Sequence, residues 1–268
     1  TARSSTGTVA RGVLLSLFAF QRLLSGRWVV GFPRGLGWKP DWEIIRSLFR
    51  FGLPTGLQGV AMNVGGVLLL RFIGSLPRSA EAQAAYAIAY TELFSLITWT
   101  SVGLMGATAA VAGQNLGAGH PDRTIRGVHV AAKIGVAAAA AIGALFLLIP
   151  RILLAAFGMT EAGVVDLAVE LLTFLSVSGF FISVALVYTG GLQGTGDTKS
   201  PFYISVVSQI AVPLGLCAIL QQMGMLTATW IWTAILLGHL TRCGLSVVRF
   251  RQGLWRSIRV DIEPAPER

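Results

Sequence analysis

One carboxylate inside a long apolar run is the residue here best placed to do chemistry. Glu92 stands about eight residues into the apolar stretch 84–111, roughly 12 Å along a helix axis. Charge at that depth is costly to hold, and the default reading is functional. Two readings stay open. Glu92 is a proton- or cation-linked carboxylate facing a cavity. Otherwise it pairs with Arg71 at the outer end of the preceding run, or hydrogen-bonds to backbone. Lys133 and Arg242 lie near the ends of their runs and are expected to snorkel to the headgroups.

Uncharged polar residues form a second set. Gln58, Asn63, Thr98, Ser101, Ser176, Ser178, Ser183, Tyr188, Tyr203 and Gln209 fall within apolar runs, with the aromatics Tyr86, Tyr90, Phe94 and Trp99. Aromatic walls carrying a few polar groups suit bulky amphipathic cations. The same residue types also serve as interhelical hydrogen bonds. Catalytic sets are missing from the pattern. His120 and His129 are nine apart and His239 is remote, so no metal-ligand pair is expected. Gly190 to Asp197 is glycine-rich but follows a helix and lacks the Gly-Lys-Ser/Thr of a phosphate loop. It reads as a helix end and tight turn. No paired Asp or Ser/His occurs at membrane depth, so no enzyme is expected. Cys217 and Cys243 read as small hydrophobes.

These residues need long apolar elements to hold them. Of 268 residues, 54% are hydrophobic and only 12% charged, with a mean hydropathy of +0.69. That excludes a disordered chain and argues against a soluble domain, where roughly 25% would be charged. The expected fold is all-α: a polytopic membrane bundle. Spans of about 20 apolar residues are placed at 51–74, 84–111, 128–149, 165–192, 202–222 and 226–248. Residues 1–24 read as the end of a preceding span. Residues 25–50 form a basic connector with an amphipathic helix, Asp41 to Arg50, capped by Asp41. The lobe proper is 51–248, and 249–268 is a basic tail. The net charge of +9 invites a nucleic-acid reading, but the basic residues lie between apolar runs. Sorted by loop, 13 Lys/Arg fall on one side and 2 on the other. The basic side is expected to be cytoplasmic, in a cell (inner) membrane with the C-terminus inside.

Two loops carry a resemblance. The run Ala112-Gly113-Gln114-Asn115-Leu116-Gly117-Ala118-Gly119-His120-Pro121-Asp122-Arg123 resembles the GQNLGAG-x-PDR signature of the multidrug and toxic compound extrusion (MATE) family. Gly191-Leu192-Gln193-Gly194-Thr195-Gly196-Asp197-Thr198-Lys199-Ser200-Pro201 resembles its GxGDTxxP turn. Phe51-Gly52-Leu53-Pro54 resembles the start of that family's second lobe. Glycines permit tight turns between packed helices, and Asp122 with Arg123 is expected to cap the following helix.

The resemblance implies a secondary antiporter of two six-helix lobes, exporting drugs and organic cations in exchange for H+ or Na+ by alternating access. It implies no other cofactor. The chain then reads as the C-terminal lobe, with an N-terminal lobe outside it. Partners implied are the bilayer and cationic amphipathic substrates, and no nucleic acid. One branch of the family carries acids near the positions of Met62 or Asn63 and Ile182, where this chain has none. Coupling candidates are therefore Glu92 first, with Gln58, Asn63, Tyr90, Tyr188 and Gln209 as cavity residues. A lipid-linked oligosaccharide flippase of the same superfamily is the alternative. It would line its cavity with arginines to hold a pyrophosphate. With Arg71, Lys133 and Arg242 all read as near span ends, the exporter is favoured. A non-transporting membrane scaffold is the third reading.

Overall fold

The computed structural model describes residues 2–25 and 40–258. The chain divides into two units, Thr1–Ile45 and Arg46–Arg268. In the first, helix α1 (Ala2–Leu24) exposes Leu14, Leu15, Leu17 and Phe20, an apolar surface of the kind lipid covers. Arg22 lies 5.2 Å over the Phe18 ring. Most of the expected connector and the tail beyond 258 lie outside the described residues.

Six further helices are long and apolar enough to cross a membrane. They are α2 (Trp42–Gly74), α3 (Ser79–Gly117), α4 (Pro121–Leu148), α6 (Ala162–Gly194), α7 (Lys199–Gln222) and α8 (Ala228–Arg251), with the short α5 (Pro150–Ala156) after α4. No strand occurs among the described residues. The expected bundle is thus observed, with one revision at its start. The amphipathic stretch from Trp42 is not a separate surface helix but the first turns of α2. Asp41 caps it as expected, its Oδ1 accepting from the Glu43 and Ile44 amides at 2.9 and 3.2 Å. Nothing between Arg50 and Leu53 stops the helix, since one glycine, Gly52, costs only about 1 kcal/mol. Pro54 is carried inside α2.

Helix α6 is the hub. Its face contacts are made by glycines that let neighbouring backbones come close. A Cβ on Gly190 would fall 2.2 Å from the Met105 carbonyl oxygen of α3, and one on Gly194 2.1 Å from that of Ala109. Gly190 and Gly194 are one turn apart, as are Met105 and Ala109, so α3 and α6 run parallel in close contact. Helix α4 crosses antiparallel, with Gly143 against Ser176 and Gly135 against Ser183. Two apolar clusters follow. One runs through Leu171, Leu172, Leu175 and Trp232, the other through Val128, Leu192, Phe250 and Trp255.

Two helices carry a π-type turn. Ala87–Leu93 within α3 and Val207–Ala211 within α7 each widen the helix, a distortion that recurs at functional sites.

Candidate functional site: a polar pocket between α2, α3, α7 and α8

Both π segments wall the same pocket. Tyr90 comes from the first, Ser208 and Gln209 from the second. The pocket has a volume of about 690 Å³ and adjoins a second of about 290 Å³ that shares Tyr90, Gln209 and His239. Glycines set the walls. A Cβ on Gly238 of α8 would sit 2.6 Å from the Ser208 carbonyl oxygen, and one on Gly65 of α2 3.1 Å from that of Gln209. The widened turn of α7 is thereby gripped from both sides.

Helix α8 contributes a stripe: Ile235, Gly238, His239 and Arg242. The i, i+3, i+4, i+7 spacing puts all four on one face. His239 is 2% exposed and packs against both Tyr90 and Phe94, with ring centroids 6.5 and 5.6 Å away, in a three-ring cluster. Arg242 is also 2% exposed. Its Nη1 lies 3.9 Å from the Met62 Sδ, a weak acceptor. Its Nε has no partner among the described residues, and neither do His239 Nδ1, Gln209 Nε2 or Ser208 Oγ. Arg242 makes no ion pair among the described residues.

The expectation for Arg242 is therefore corrected. It does not snorkel. It stands fourteen residues after Ala228 and nine before Arg251, roughly 21 and 14 Å from the two ends of α8. A span ending at 248 puts it nearer a helix end than α8 does, because α8 continues to Arg251. His239, read from the sequence only as lying far from the other two histidines, lines both pockets. The signal was available: His239 and Arg242 are three residues apart, hence on one helical face. Among the described residues no group of three or more His, Cys, Asp or Glu gathers as metal ligands.

Of the other expected cavity residues, Gln58, Asn63, Tyr90 and Gln209 line the pockets. Gln58 is buried and donates to Ser205 Oγ at 2.7 Å, while Gln193 donates to Gln58 Oε1 at 3.2 Å. This knits α2 to α6 and α7. Asn63 donates back to the Gly59 carbonyl at 2.9 Å. Tyr188 sits elsewhere, buried edge-on against Phe250 with centroids 5.4 Å apart. Glu92 belongs to the first π segment but is exposed and lines neither pocket. It forms no ion pair with Arg71.

The signature loops build the end of the bundle. Both are helix stops of the same kind. In the first, the Gly119 and His120 amides donate to Leu116 and Asn115 carbonyls, and Gly119 has φ 75°. In the second, the Gly196 and Asp197 amides donate to Gln193 and Leu192 carbonyls, and Gly196 has φ 90°. That is a Schellman pair, whose left-handed residue favours glycine. The loops also meet, since a Cβ on Gly113 would lie 2.8 Å from the Gly194 carbonyl oxygen. Gly117 has open space around it, and Gln114 is exposed. Asn115 Nδ2 bonds the Val111 carbonyl at 2.8 Å. The expected capping by Asp122 and Arg123 is corrected. His120 holds the cap position without a side-chain bond, and Asp122 sits in the first turn, where it only complements the helix dipole. Arg123 is exposed.

Asp197 does more. It is 5% exposed, and it accepts from the Ser200 amide at 3.1 Å and the Ser200 hydroxyl at 2.8 Å. Arg249 of α8 reaches it with Nε at 3.0 Å and Nη2 at 2.9 Å. Pro201 follows, buried in the first turn of α7. At the start of α3, outside the spans, Arg78 donates to Glu81, which raises its guanidinium above the ordinary value.

Known proteins bear on this arrangement. A probable multidrug resistance protein NorM of Mesorhizobium japonicum is 31% identical over 190 residues, covering 68% of this chain and 39% of that protein. One of Brucella suis is 29% identical over 231 residues, covering 82% and 47%. The chain thus spans less than half the length of these relatives. A solved outward-facing multidrug resistance MATE family transporter of the MOP superfamily superposes with a TM-score of 0.81 at 19% identity. It covers 92% of this chain and 55% of its own, which establishes the shared fold. The model of the MatE family matches residues 54–219, more than half of the chain, so the chain, with its two glycine-stopped signature loops in contact, belongs to the MatE family of multidrug efflux transporters.

Proposed function

We propose that this chain is one lobe of a secondary exporter of amphipathic drugs, organic cations among them, working by alternating access in exchange for H+ or Na+. A second six-helix lobe would close over the pocket. The observation that carries this reading is the pocket itself: apolar and aromatic walls from Tyr86, Tyr90 and Trp99, with polar groups unpaired among the described residues on the widened α7 and on α8. Substrate sites of such transporters lie near the midplane, between lobes, at irregular helices. The pocket holds no carboxylate among its lining residues. A coupling acid would come from Glu92, acting from outside the pocket, or from the second lobe. The orientation proposal keeps the signature end cytoplasmic. There Arg50, Lys199 and Arg249 line one cleft, matching the positive-inside rule.

Drug accumulation in cells with and without the full-length gene tests the export reading. Lower accumulation with the gene is expected, and equal accumulation overturns it. A flippase of a lipid-linked oligosaccharide is the second reading. One observation favours it, namely the arginine now placed in the pocket wall.

A further inference from the structure

The pocket has an unanswered charge. A guanidinium stays protonated in proteins, and Arg242 holds one 2% exposed at the interior of a membrane helix with no carboxylate partner among the described residues. Beside it three more buried polar atoms lack partners among the described residues: His239 Nδ1, Gln209 Nε2 and Ser208 Oγ. All four belong to residues on the pocket walls. Each can act as a hydrogen-bond donor. Buried donors of this kind are satisfied by something, and a cluster of them around a fixed cation selects an acceptor with negative charge.

We propose that Arg242, His239 and Gln209 form a subsite for the oxyanion group of an amphipathic organic molecule, with Tyr86, Tyr90 and Trp99 taking its apolar body. This deepens the transport reading by naming a substrate feature, yet binding can be measured without any transport. The two sources of such an oxyanion are a carboxylate-bearing small molecule and a lipid pyrophosphate. An organic cation alone would meet Arg242 with like charge. A cationic drug fits this wall only when it also carries an acid.

Equilibrium binding to the purified protein in dodecyl maltoside tests this, read against empty micelles. The probes are 1-pyrenebutyrate and its neutral analogue 1-pyrenebutanol, with farnesyl pyrophosphate and farnesol as the second pair. In each pair the anion is expected to bind about tenfold or more tighter than the alcohol. The pair showing the larger ratio identifies the source. Arg242→Gln is expected to erase the ratio, and Arg242→Lys to keep part of it. Gln209→Leu is expected to reduce it a few-fold. Thermal melting of each variant, followed by helical circular dichroism, separates loss of the site from loss of the fold. Equal binding of anion and alcohol in both pairs overturns the proposal. So does an unchanged ratio in a folded Arg242→Gln protein. Loss of drug export with these ratios intact would sink the transport reading and leave the subsite standing.

Discussion

Two of the arginines of helix α8, Arg242 and Arg249, lie seven residues apart and are oppositely equipped. Arg249 is the structural one. It makes two short bonds to a buried carboxylate that also caps the next helix, so one aspartate ties α6, α7 and α8 together. Arg242 is more deeply buried, yet its one hydrogen-bond contact among the described residues is a thioether. A buried ion with a partner and one without differ in sign. Removing a partner from a buried pair costs about 3–5 kcal/mol, whereas replacing even a whole buried pair by apolar groups is often neutral or stabilising, and an unpaired buried charge has no ion-pair attraction to lose. A membrane protein that keeps the second kind keeps it for a ligand.

The largest effect that bears on this contrast is expected at Asp197. Asp197→Ala strands Arg249 and the Ser200 donors, and should lower stability by about 3 kcal/mol, seen as a lower melting temperature in detergent. An unchanged melt would mean that the signature end is not locked by this ion pair. Next comes Gly190→Leu, which drives a side chain into the α3 backbone. Overpacking of this kind costs about 1–3 kcal/mol, and a normal melt would contradict the close approach of α3 and α6. Smaller and opposite in sign is Arg242→Met. Its stability should be unchanged or raised by about 1 kcal/mol. A melting temperature that falls as far as for Asp197→Ala would erase the distinction between the two arginines. The smallest stability effect is expected for the exposed Glu92→Gln, within about 0.5 kcal/mol. Binding of the pyrene probes should stay as in the wild type, because Glu92 lines neither pocket. Efflux by the full-length transporter is expected to fall. Wild-type drug resistance in that variant would remove Glu92 from coupling.

The signature end and the pocket differ in how legible they are in the sequence. The signature end was readable, because its features are local. Asp41 caps α2 as its position before the amphipathic run requires. Gly119 and Gly196 stop helices where backbone geometry demands a left-handed residue. Even so, that Gly113 and Gly194 touch, or that Asp197 meets Arg249 across fifty-two residues, is invisible in either loop alone. The pocket was half readable. Gln58, Asn63, Tyr90 and Gln209 were expected in it and line it. Tyr188 has the same composition signal as Tyr90 but turns into an aromatic cluster with Phe250. Polar residue type names a set of candidates, and helix rotation chooses among them.

Arg242 shows where the division falls. Composition, apolar run length and the sorting of basic residues by loop determined an all-helical membrane bundle, because the hydrocarbon core imposes about 20 apolar residues and satisfied backbone on any span. Glycine-rich helix ends determined where several helices stop, because only a local backbone rule is involved. Whether an arginine reaches water depends on quantities no local rule contains: the true end of its helix, the neighbour over its side chain and the presence of an acid within reach. Those were decided by the packing of α8 against α6 and the widened turn of α7, with Met62 of α2 over the guanidinium. That packing made a residue expected at the headgroups a buried cation of the pocket wall, unpaired among the described residues.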